Sequence, residues 1–256
     1  EFGIARAEQL EEKILEIGAE HICAFIGEPI QGAGGVIIPP DSYWPEIQRI
    51  CREHDILLIT DEVICGFGRT GNWWGCETMG VEPDLMPIAK GMTSGYIPMG
   101  GVFISDRVAG PVMEHGGEFI HGYTYSGHPA ACAAGLANLR IIQEEGLVAR
   151  VRDRIGPYLQ SRWTALADHP LVGEARMTGL IGALELVADK AKMVRFPEEG
   201  ATGTRARDLS VGNGLVMRAV RDTLLISPPL IISEEECDIL VARARQTLDD
   251  LAAEIL

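Results

Sequence analysis

Residues 54–71 read HDILLITDEVICGFGRTG, and this stretch decides the fold class. Its apolar run, 56–60, ends on Asp61 and is typical of a buried strand in a parallel sheet. A similar apolar run, 22–27, precedes it, and the residues between 42 and 54 have the pattern of a helix. Strand, helix and strand in this order predict an α/β fold whose sheet is mainly parallel and covered on both faces.

Three charged residues follow three apolar runs of this predicted sheet. Glu28 follows the first run and Asp61 the second, and Lys90 follows a third run at 85–89. Ligands of open α/β sheets bind outside the carboxyl ends of the strands. The sequence therefore predicts a single site that contains all three side chains.

Lys90 and Asp61 indicate a chemistry when they are taken as a pair. A lysine that ends a buried run is costly unless it is used or paired, and burial favours the uncharged amine that attacks carbonyl groups. A carboxylate such as Asp61 can hold the proton on the nitrogen of a pyridine ring. Taken singly, each residue is also typical of an exposed strand end, as a surface lysine or a turn-capping carboxylate.

Residues 66–71, GFGRTG, match the G-x-G-x-x-G pattern of dinucleotide-binding folds. In those folds the pattern opens a helix directly after its strand. Here DEVIC, at 61–65, separates the pattern from its strand, and NWWG, at 72–75, follows it without a helix start. We therefore interpret these glycines as a loop near the site.

Two further segments have two interpretations each. Residues 121–129, HGYTYSGHP, offer the hydroxyl groups of Tyr123 and Thr124 just before a predicted helix. Such a segment suits a phosphate group, or it serves only as the cap of the helix. Arg218 lies on a predicted strand of the second part of the chain and is either a surface residue or part of a binding site.

The order of elements changes near residue 145, which predicts two domains. Residues 1–144 would form part of a large sheet domain, and residues 145–256 a smaller α+β domain. The formal net charge of −15 disfavours nucleic acids and anionic lipid surfaces as partners. Small-molecule chemistry is the better expectation for such a chain.

The cysteines and the apolar runs point to a chain without disulfides, metals or membrane spans. The six cysteines form no C-x-x-C pair, and the six histidines show no zinc spacing. No apolar run approaches the length of a membrane span. We therefore expect reduced thiols, no metal site and a cytoplasmic location.

Five strings of this chain, taken in order, resemble the class III aminotransferases, also called ω-aminotransferases. The resemblance covers nearly the whole chain and is specific, because both the order and the spacing of the strings agree with the family. Within the class, the chain looks most like the putrescine or diamine transaminases and the amine–pyruvate transaminases. The strings are AFIGEPIQGAGGV (24–36), ITDEVICGFGRTG (59–71), DLMPIAKG (84–91), HGYTYSGHP (121–129) and NGLVMRAV (213–220).

This resemblance implies fold type I of the pyridoxal phosphate (PLP) enzymes, with PLP held at the interface of a homodimer. Lys90 matches the lysine that forms the Schiff base, and Asp61 matches the partner of the ring nitrogen. Val63 matches the residue packed on one face of the ring. Glu28 matches a carboxylate that steadies the site near Asp61.

The resemblance also implies a substrate class. Thr124 matches a phosphate-binding hydroxyl from the neighbouring subunit, and Tyr123 lies beside it. Relatives that act on ornithine or 4-aminobutyrate carry a glutamate and an arginine where this chain has Ala33 and Leu225. Arg218 instead matches the mobile arginine of amine–pyruvate transaminases, which binds the carboxylate of the acceptor. We expect a primary amine, diamine or ω-amino donor and pyruvate or a similar keto acid as acceptor.

Two other interpretations stay open at this point. Family members have a long N-terminal portion that carries further cofactor-binding residues and has no counterpart in these 256 residues. The chain therefore looks like the C-terminal part of a family chain, and a truncated inactive fragment is one alternative. A PLP-dependent decarboxylase or aminomutase of the same fold is the other.

Overall fold

The computed structural model describes residues Glu1–Ile255. Short 3-10 and π-helical turns connect several of its elements. The α-helices are α1 Phe2–Ile17, α2 Tyr43–Glu53, α3 Gly75–Met79, α4 Asp106–His115, α5 Pro129–Glu144, α6 Leu147–Arg150, α7 Gly156–Thr164, α8 Ala201–Gly212 and α9 Glu234–Ile255. The strands are β1 Ala24–Gly27, β2 Leu57–Thr60, β3 Leu85–Ile88, β4 Gly101–Ile104, β5 Val172–Thr178, β6 Ile181–Leu186, β7 Arg218–Val220 and β8 Thr223–Ile226.

The chain forms two compact units, and two loops of the first half belong to the second unit. The first unit contains Glu1–Ile30, Pro39–Phe67 and Asn72–Gly146. The second unit contains Gln31–Ile38, Gly68–Gly71 and the residues from Leu147 onward. A division into domains 1–144 and 145–256 stays a prediction.

The sheet of the first unit has the order β1-β2-β3-β4. Strands β1, β2 and β3 are parallel, and β4 is an antiparallel edge strand. This confirms the predicted α/β class with a mainly parallel sheet. Because β1, β2 and β3 run in one direction, their carboxyl ends lie at one edge of the sheet.

A single buried cluster holds the first unit together. Trp44, Ile47 and Ile50 of α2 recur at helical spacing and pack with Ile14 of α1 and Leu58 of β2. Their burial removes apolar surface from water, which contributes about 25 cal/mol per Å². The helices α1 and α2 are therefore fixed to the sheet by their apolar faces.

The expected cover on both faces of this sheet is not met within residues 1–255. Phe25 packs against the buried cluster, whereas Ile26, the next residue of β1, is 59% exposed. Successive side chains of a strand point to opposite faces, so Phe25 lies on the covered face of the sheet and Ile26 on the uncovered face. Phe103 of β4 is also 50% exposed.

The second unit is built on an antiparallel sheet with the order β5-β6-β8-β7. Its core includes Trp163 of α7, Leu184 of β6 and Leu248 of α9, all fully buried. Helix α9 begins with a capping box, in which Ser233 Oγ accepts a hydrogen bond from Glu236 N at 3.1 Å and Glu236 Oε2 accepts one from Ser233 N at 2.8 Å. This confirms the predicted α+β architecture of this part.

Candidate active site

The ends of three neighbouring strands bring the predicted site residues together. Glu28 directly follows β1, Asp61 directly follows β2, and Lys90 comes two residues after β3. The main chain fixes this arrangement, because Asp61 N donates to Gly27 O at 2.8 Å and Glu62 N donates to Pro87 O at 3.0 Å. The structure therefore places Glu28, Asp61 and Lys90 at the carboxyl edge of one parallel sheet, where α/β folds bind ligands.

Asp61 has a defined orientation within this edge. Its Oδ1 atom accepts a hydrogen bond from Val63 N at 3.0 Å, in a turn that closes on the residue two positions later. Asp61 and Val63 are both half-buried. The turn thus presents a carboxylate and a branched apolar side chain from positions two residues apart.

Lys90 lies at a strained point of the backbone. It is the first residue of a 3-10 turn, Lys90–Met92, and its φ of +39° lies in the left-handed region. A non-glycine residue held in this region costs about 1–3 kcal/mol, and such residues cluster at functional sites. The side chain is exposed, so residues 1–255 do not provide the burial that the sequence led us to expect.

The turn at Lys90 rests on an aromatic residue that we did not predict as functional. A Cβ atom added to Gly91 would lie 2.9 Å from the Cβ atom of Phe67, so only glycine fits against this ring. Phe67 is itself buried with a φ of +59°, and its ring packs edge-on against Trp74 with centroids 5.0 Å apart. From the sequence, Phe67 was only a spacer between two glycines of the G-x-G-x-x-G pattern.

Glu62 is a second residue that the sequence did not single out. Its side chain is fully buried, and its two carboxylate oxygens accept hydrogen bonds from Gly75 N at 2.6 Å and Cys76 N at 2.7 Å. Burial raises the pKa of Glu62, and the two backbone N–H donors oppose that shift. A carboxylate that continues a buried apolar run was the available signal, but nothing in the sequence named its partners.

The carboxylates around this edge also affect a buried thiol. Burial raises the pKa of Cys65 to about 12, and a hydrogen bond to Ile30 O acts in the opposite direction. The charges of Glu62, Glu28 and Asp61 raise this pKa further. The thiol is therefore protonated and unreactive at neutral pH, and all three carboxylates lie near enough to act on one atom.

The segment with Tyr123 and Thr124 is an exposed turn. Ser126 Oγ accepts a hydrogen bond from Tyr123 N at 3.0 Å, and the Tyr123 side chain is 80% exposed. His128 caps helix α5 and Pro129 occupies its first turn, as expected for the start of a helix. A role of Tyr123 and Thr124 in binding phosphate stays a prediction.

The loop that follows β1 belongs to the second unit, where an arginine holds it. Arg176 Nε donates to Val36 O at 2.8 Å, and one guanidinium nitrogen donates to Gly35 O at the same distance. Glu174 and Glu185 accept from another nitrogen of this guanidinium. Arg69 acts similarly in the second loop, where it donates to Leu180 O at 3.0 Å.

Arg218 is the exposed first residue of β7. It lies directly opposite Leu225 of β8 in the antiparallel pair. Directly opposite residues point to the same face of a sheet. Arg218 also borders an apolar groove of the second unit lined by Val216, Leu225 and Ile231.

A family model described as class III aminotransferase matches residues 3–248 of the chain. The chain belongs to the class III aminotransferase family. The aminotransferases of this class depend on PLP and have fold type I, which confirms the fold and the cofactor class that the sequence predicted.

Aminotransferases of this class are similar to the chain over its full length. The putrescine–pyruvate aminotransferase of Pseudomonas aeruginosa is 58% identical over 256 residues, which cover 100% of this chain and 56% of the relative. A transaminase solved with L-Ala has a TM-score of 0.96 at 45% identity, and the match covers 100% of this chain and 61% of the transaminase chain. The ω-transaminase from Pseudomonas jessenii in complex with PMP has a TM-score of 0.93 at 43% identity, and the match covers 99% of this chain and 56% of the transaminase chain. The chain thus spans little more than half the length of these aminotransferases.

The residues at the sheet edge fit the ring of the aminotransferase cofactor. An amine from Lys90, a carboxylate from Asp61 and an apolar side chain from Val63 are the groups that a pyridinium aldehyde requires around it. No cluster of three metal-binding side chains occurs among residues 1–255. None of the helices described in these residues combines the length and the apolar character of a membrane span.

Strands β7 and β8 carry the two positions at which class III aminotransferases differ in the placement of an arginine, according to the resemblance. Positions 218 and 225 are the two places where the resemblance puts an arginine in different aminotransferases. Because they face each other across the strand pair, an arginine at either position reaches the same side of the sheet. The chain carries its arginine at 218 and a leucine at 225.

Proposed function

We propose that the protein containing this chain is a PLP-dependent aminotransferase that moves an amino group from a primary amine or diamine to pyruvate. The observation that carries the proposal is the placement of Asp61 and Lys90 at the ends of adjacent parallel strands. The 58% identity to a putrescine–pyruvate aminotransferase supports putrescine as the donor to be tested first.

The proposal assigns a role to each residue of the edge. Bound PLP would supply a pyridinium ring that delocalises the electron pair left on the substrate carbon when its proton is removed. The Asp61 carboxylate keeps the ring nitrogen protonated, and Val63 packs on one face of the ring. Lys90 would hold the cofactor through its Nζ atom and, once the donor amine has replaced it there, would take the proton from the substrate carbon that bears the nitrogen. Glu28 steadies Asp61.

Arg218 would bind the carboxylate of the keto acid. The guanidinium group matches a carboxylate with two parallel hydrogen bonds, and Arg218 is exposed at the end of a short strand. A diamine carries no carboxylate, so this arginine would serve only the second half of the reaction. The two half-reactions would then follow one another and give ping-pong kinetics.

We further propose that the protein is a cytoplasmic homodimer. Exposure of Tyr123 and Thr124 supports a role for this segment at a subunit interface, where Thr124 would bind the phosphate of the neighbouring subunit. All six cysteines are free, which supports a reducing compartment.

The absorption spectrum of the purified protein with PLP tests the proposed function. We expect a visible band that bleaches on addition of putrescine and returns with pyruvate. Lys90→Ala should abolish the band and lower the rate of amino transfer by about 10²–10⁴-fold, because it removes both the covalent link and the proton carrier. A wild-type protein that retains no PLP after desalting would refute the proposal. Release of carbon dioxide from an amino acid substrate, without amino transfer to pyruvate, would favour a decarboxylase instead.

The role of Arg218 has its own test. Arg218→Ala should raise KM for pyruvate by about ten- to a hundredfold, as expected for the loss of charge-assisted hydrogen bonds. The rate of the half-reaction with putrescine should stay unchanged. Arg221→Ala is the matched control, since Arg221 is a nearby exposed arginine paired with Glu199 at 3.2 Å. An equal rise in KM for both variants would contradict the assignment.

A further inference from the structure

Glu62 stands out among the residues of the first unit because it is a fully buried carboxylate for which the proposed reaction has no use. It lies between Asp61 and Val63, where β2 passes into a turn, and it is fully buried whereas both neighbours are half-buried. Its oxygens accept from the backbone N–H groups of Gly75 and Cys76, at 2.6 and 2.7 Å. A buried carboxylate with hydrogen bonds to both oxygens is held firmly, since either lost bond leaves a buried polar group without a partner.

The main chain of Glu62 is held as tightly as its side chain. Glu62 N donates to Pro87 O of β3 at 3.0 Å, and Glu62 O accepts from Gly66 N at 2.9 Å. Asp61 N donates to Gly27 O of β1 at 2.8 Å. The peptide that carries the Asp61 carboxylate is thus tied to the strands on both sides and, through the Glu62 side chain, to the segment at Gly75.

This segment packs closely against the loops of the edge. A Cβ atom added to Gly75 would lie 2.6 Å from the Cβ atom of Cys65 and 2.9 Å from that of Pro29. Pro29 directly follows Glu28. Gly75, which donates a hydrogen bond to Glu62, therefore packs against the segment that carries Glu28. A shift of the segment at Gly75 would therefore displace Cys65 and Pro29, the residue next to Glu28.

We propose that Glu62 is a positioning residue, which holds Asp61 in the place where its carboxylate meets the ring nitrogen of the cofactor. This inference rests on the proposed function, because it takes Asp61 to be the partner of that nitrogen. Glu62 itself touches neither cofactor nor substrate. Its buried carboxylate acts through the two backbone donors that fix the peptide of Asp61.

Glu77 provides a matched control on the same short helix. Its Oε2 atom accepts from Trp74 N at 3.0 Å, so it also caps the start of α3, but its side chain is exposed. Glu77→Gln therefore removes a carboxylate from the same segment without disturbing the peptide of Asp61. Any effect common to the two variants comes from the helix and not from Asp61.

The experiment compares the wild-type protein with Glu62→Gln, Glu77→Gln and Asp61→Asn. Two quantities are measured for each protein: the apparent Kd for PLP and the pH midpoint of the visible band of the bound cofactor. In Glu62→Gln, an NH₂ group faces one backbone N–H, so we expect PLP to bind about tenfold more weakly. The pH midpoint should move in the same direction as in Asp61→Asn, which a general loss of stability would not produce. Glu77→Gln should keep both values.

The inference is overturned if Glu62→Gln keeps the wild-type Kd and pH midpoint, or if Glu77→Gln changes them equally. A wild-type protein that binds no PLP removes the proposed function and this inference with it. A normal wild type with an unaffected Glu62→Gln removes only the inference.

Hydrogen exchange in the wild-type protein gives a second test, which does not depend on a variant that folds. Because coupling between two sites is reciprocal, PLP should slow amide exchange at Gly75 and Cys76. Gly80, at the other end of α3, should be protected less. Equal protection at both ends of α3 would contradict the inference.

Discussion

Strands β4 and β6 are both apolar, yet only β6 is buried. Leu184 and Leu186 of β6 lie in a core that helices α7 and α9 complete within the second unit. Every residue of β4 is exposed, including Val102 and Phe103. The second unit therefore carries its own core, whereas the sheet of the first unit presents apolar surface that large contacts normally cover. Apolar sequence alone does not separate these two situations.

The proposed chemistry lies in the less covered unit. Asp61 is half-buried and Lys90 is exposed, although they follow β2 and β3 of the sheet of the first unit. The local geometry at Asp61, Glu62 and Phe67 is nevertheless well defined by hydrogen bonds and ring contacts. Hydrogen bonds thus fix the residues of the site locally even where the sheet around them is exposed.

The largest expected effect comes from the core of the second unit. Trp163 is fully buried, and its Nε1 atom donates to Ala183 O at 3.2 Å. Trp163→Ala should lower the free energy of unfolding by about 3–5 kcal/mol, because it opens a cavity and leaves that carbonyl without its donor. Chemical denaturation followed by circular dichroism measures the change.

Phe103→Ala is the control for this comparison. Phe103 contacts the ring of Trp74 at a centroid distance of 5.3 Å but is half exposed, so its removal should cost about 1 kcal/mol or less. Similar losses for Trp163→Ala and Phe103→Ala would mean that β4 is as well covered as the core of the second unit.

A smaller effect concerns pH and again the second unit. His169 is buried, its Nδ1 atom accepts from Leu171 N at 3.2 Å, and its Nε2 atom lies 3.4 Å from an oxygen of Asp249. Burial lowers the pKa of His169, while Asp249 acts in the opposite direction and Arg245 adds to the lowering. In the folded protein the ring therefore stays neutral at a pH where an unfolded histidine binds a proton.

The consequence is a loss of stability in acid. The unfolded chain takes up a proton at His169 as the pH falls through about 6.5, and the folded chain does so only at lower pH. The contribution is thus fully present above this value and is lost as the pH falls towards the folded pKa. In His169→Gln the dependence of the unfolding free energy on pH between 7 and 5 should be weaker than in wild type. Identical pH profiles would show that other groups cause the acid sensitivity.

Much of this organisation follows from local sequence patterns. The apolar runs before Glu28, Asp61 and Lys90 predicted three strands. Strands of parallel sheets consist of consecutive apolar residues, so a short stretch of sequence is enough to predict them. The resemblance of five strings to class III aminotransferases agrees with the family match to residues 3–248. The roles of all the site residues stay predictions, namely those of Glu28, Asp61, Val63, Lys90, Tyr123, Thr124 and Arg218.

Other features required the tertiary structure, because they depend on residues far apart in the chain. The donors to Glu62 come from Gly75 and Cys76, and the glycine at 91 is needed because Phe67 lies against it. The register that sets Arg218 opposite Leu225 depends on how two strands pair, and the exposure of β4 depends on which helices pack on each face. Sequence alone determined which side chains are available for chemistry, since residue type and strand ends are local properties. Only the fold decided which of them meet, because long-range packing and hydrogen bonding set those contacts.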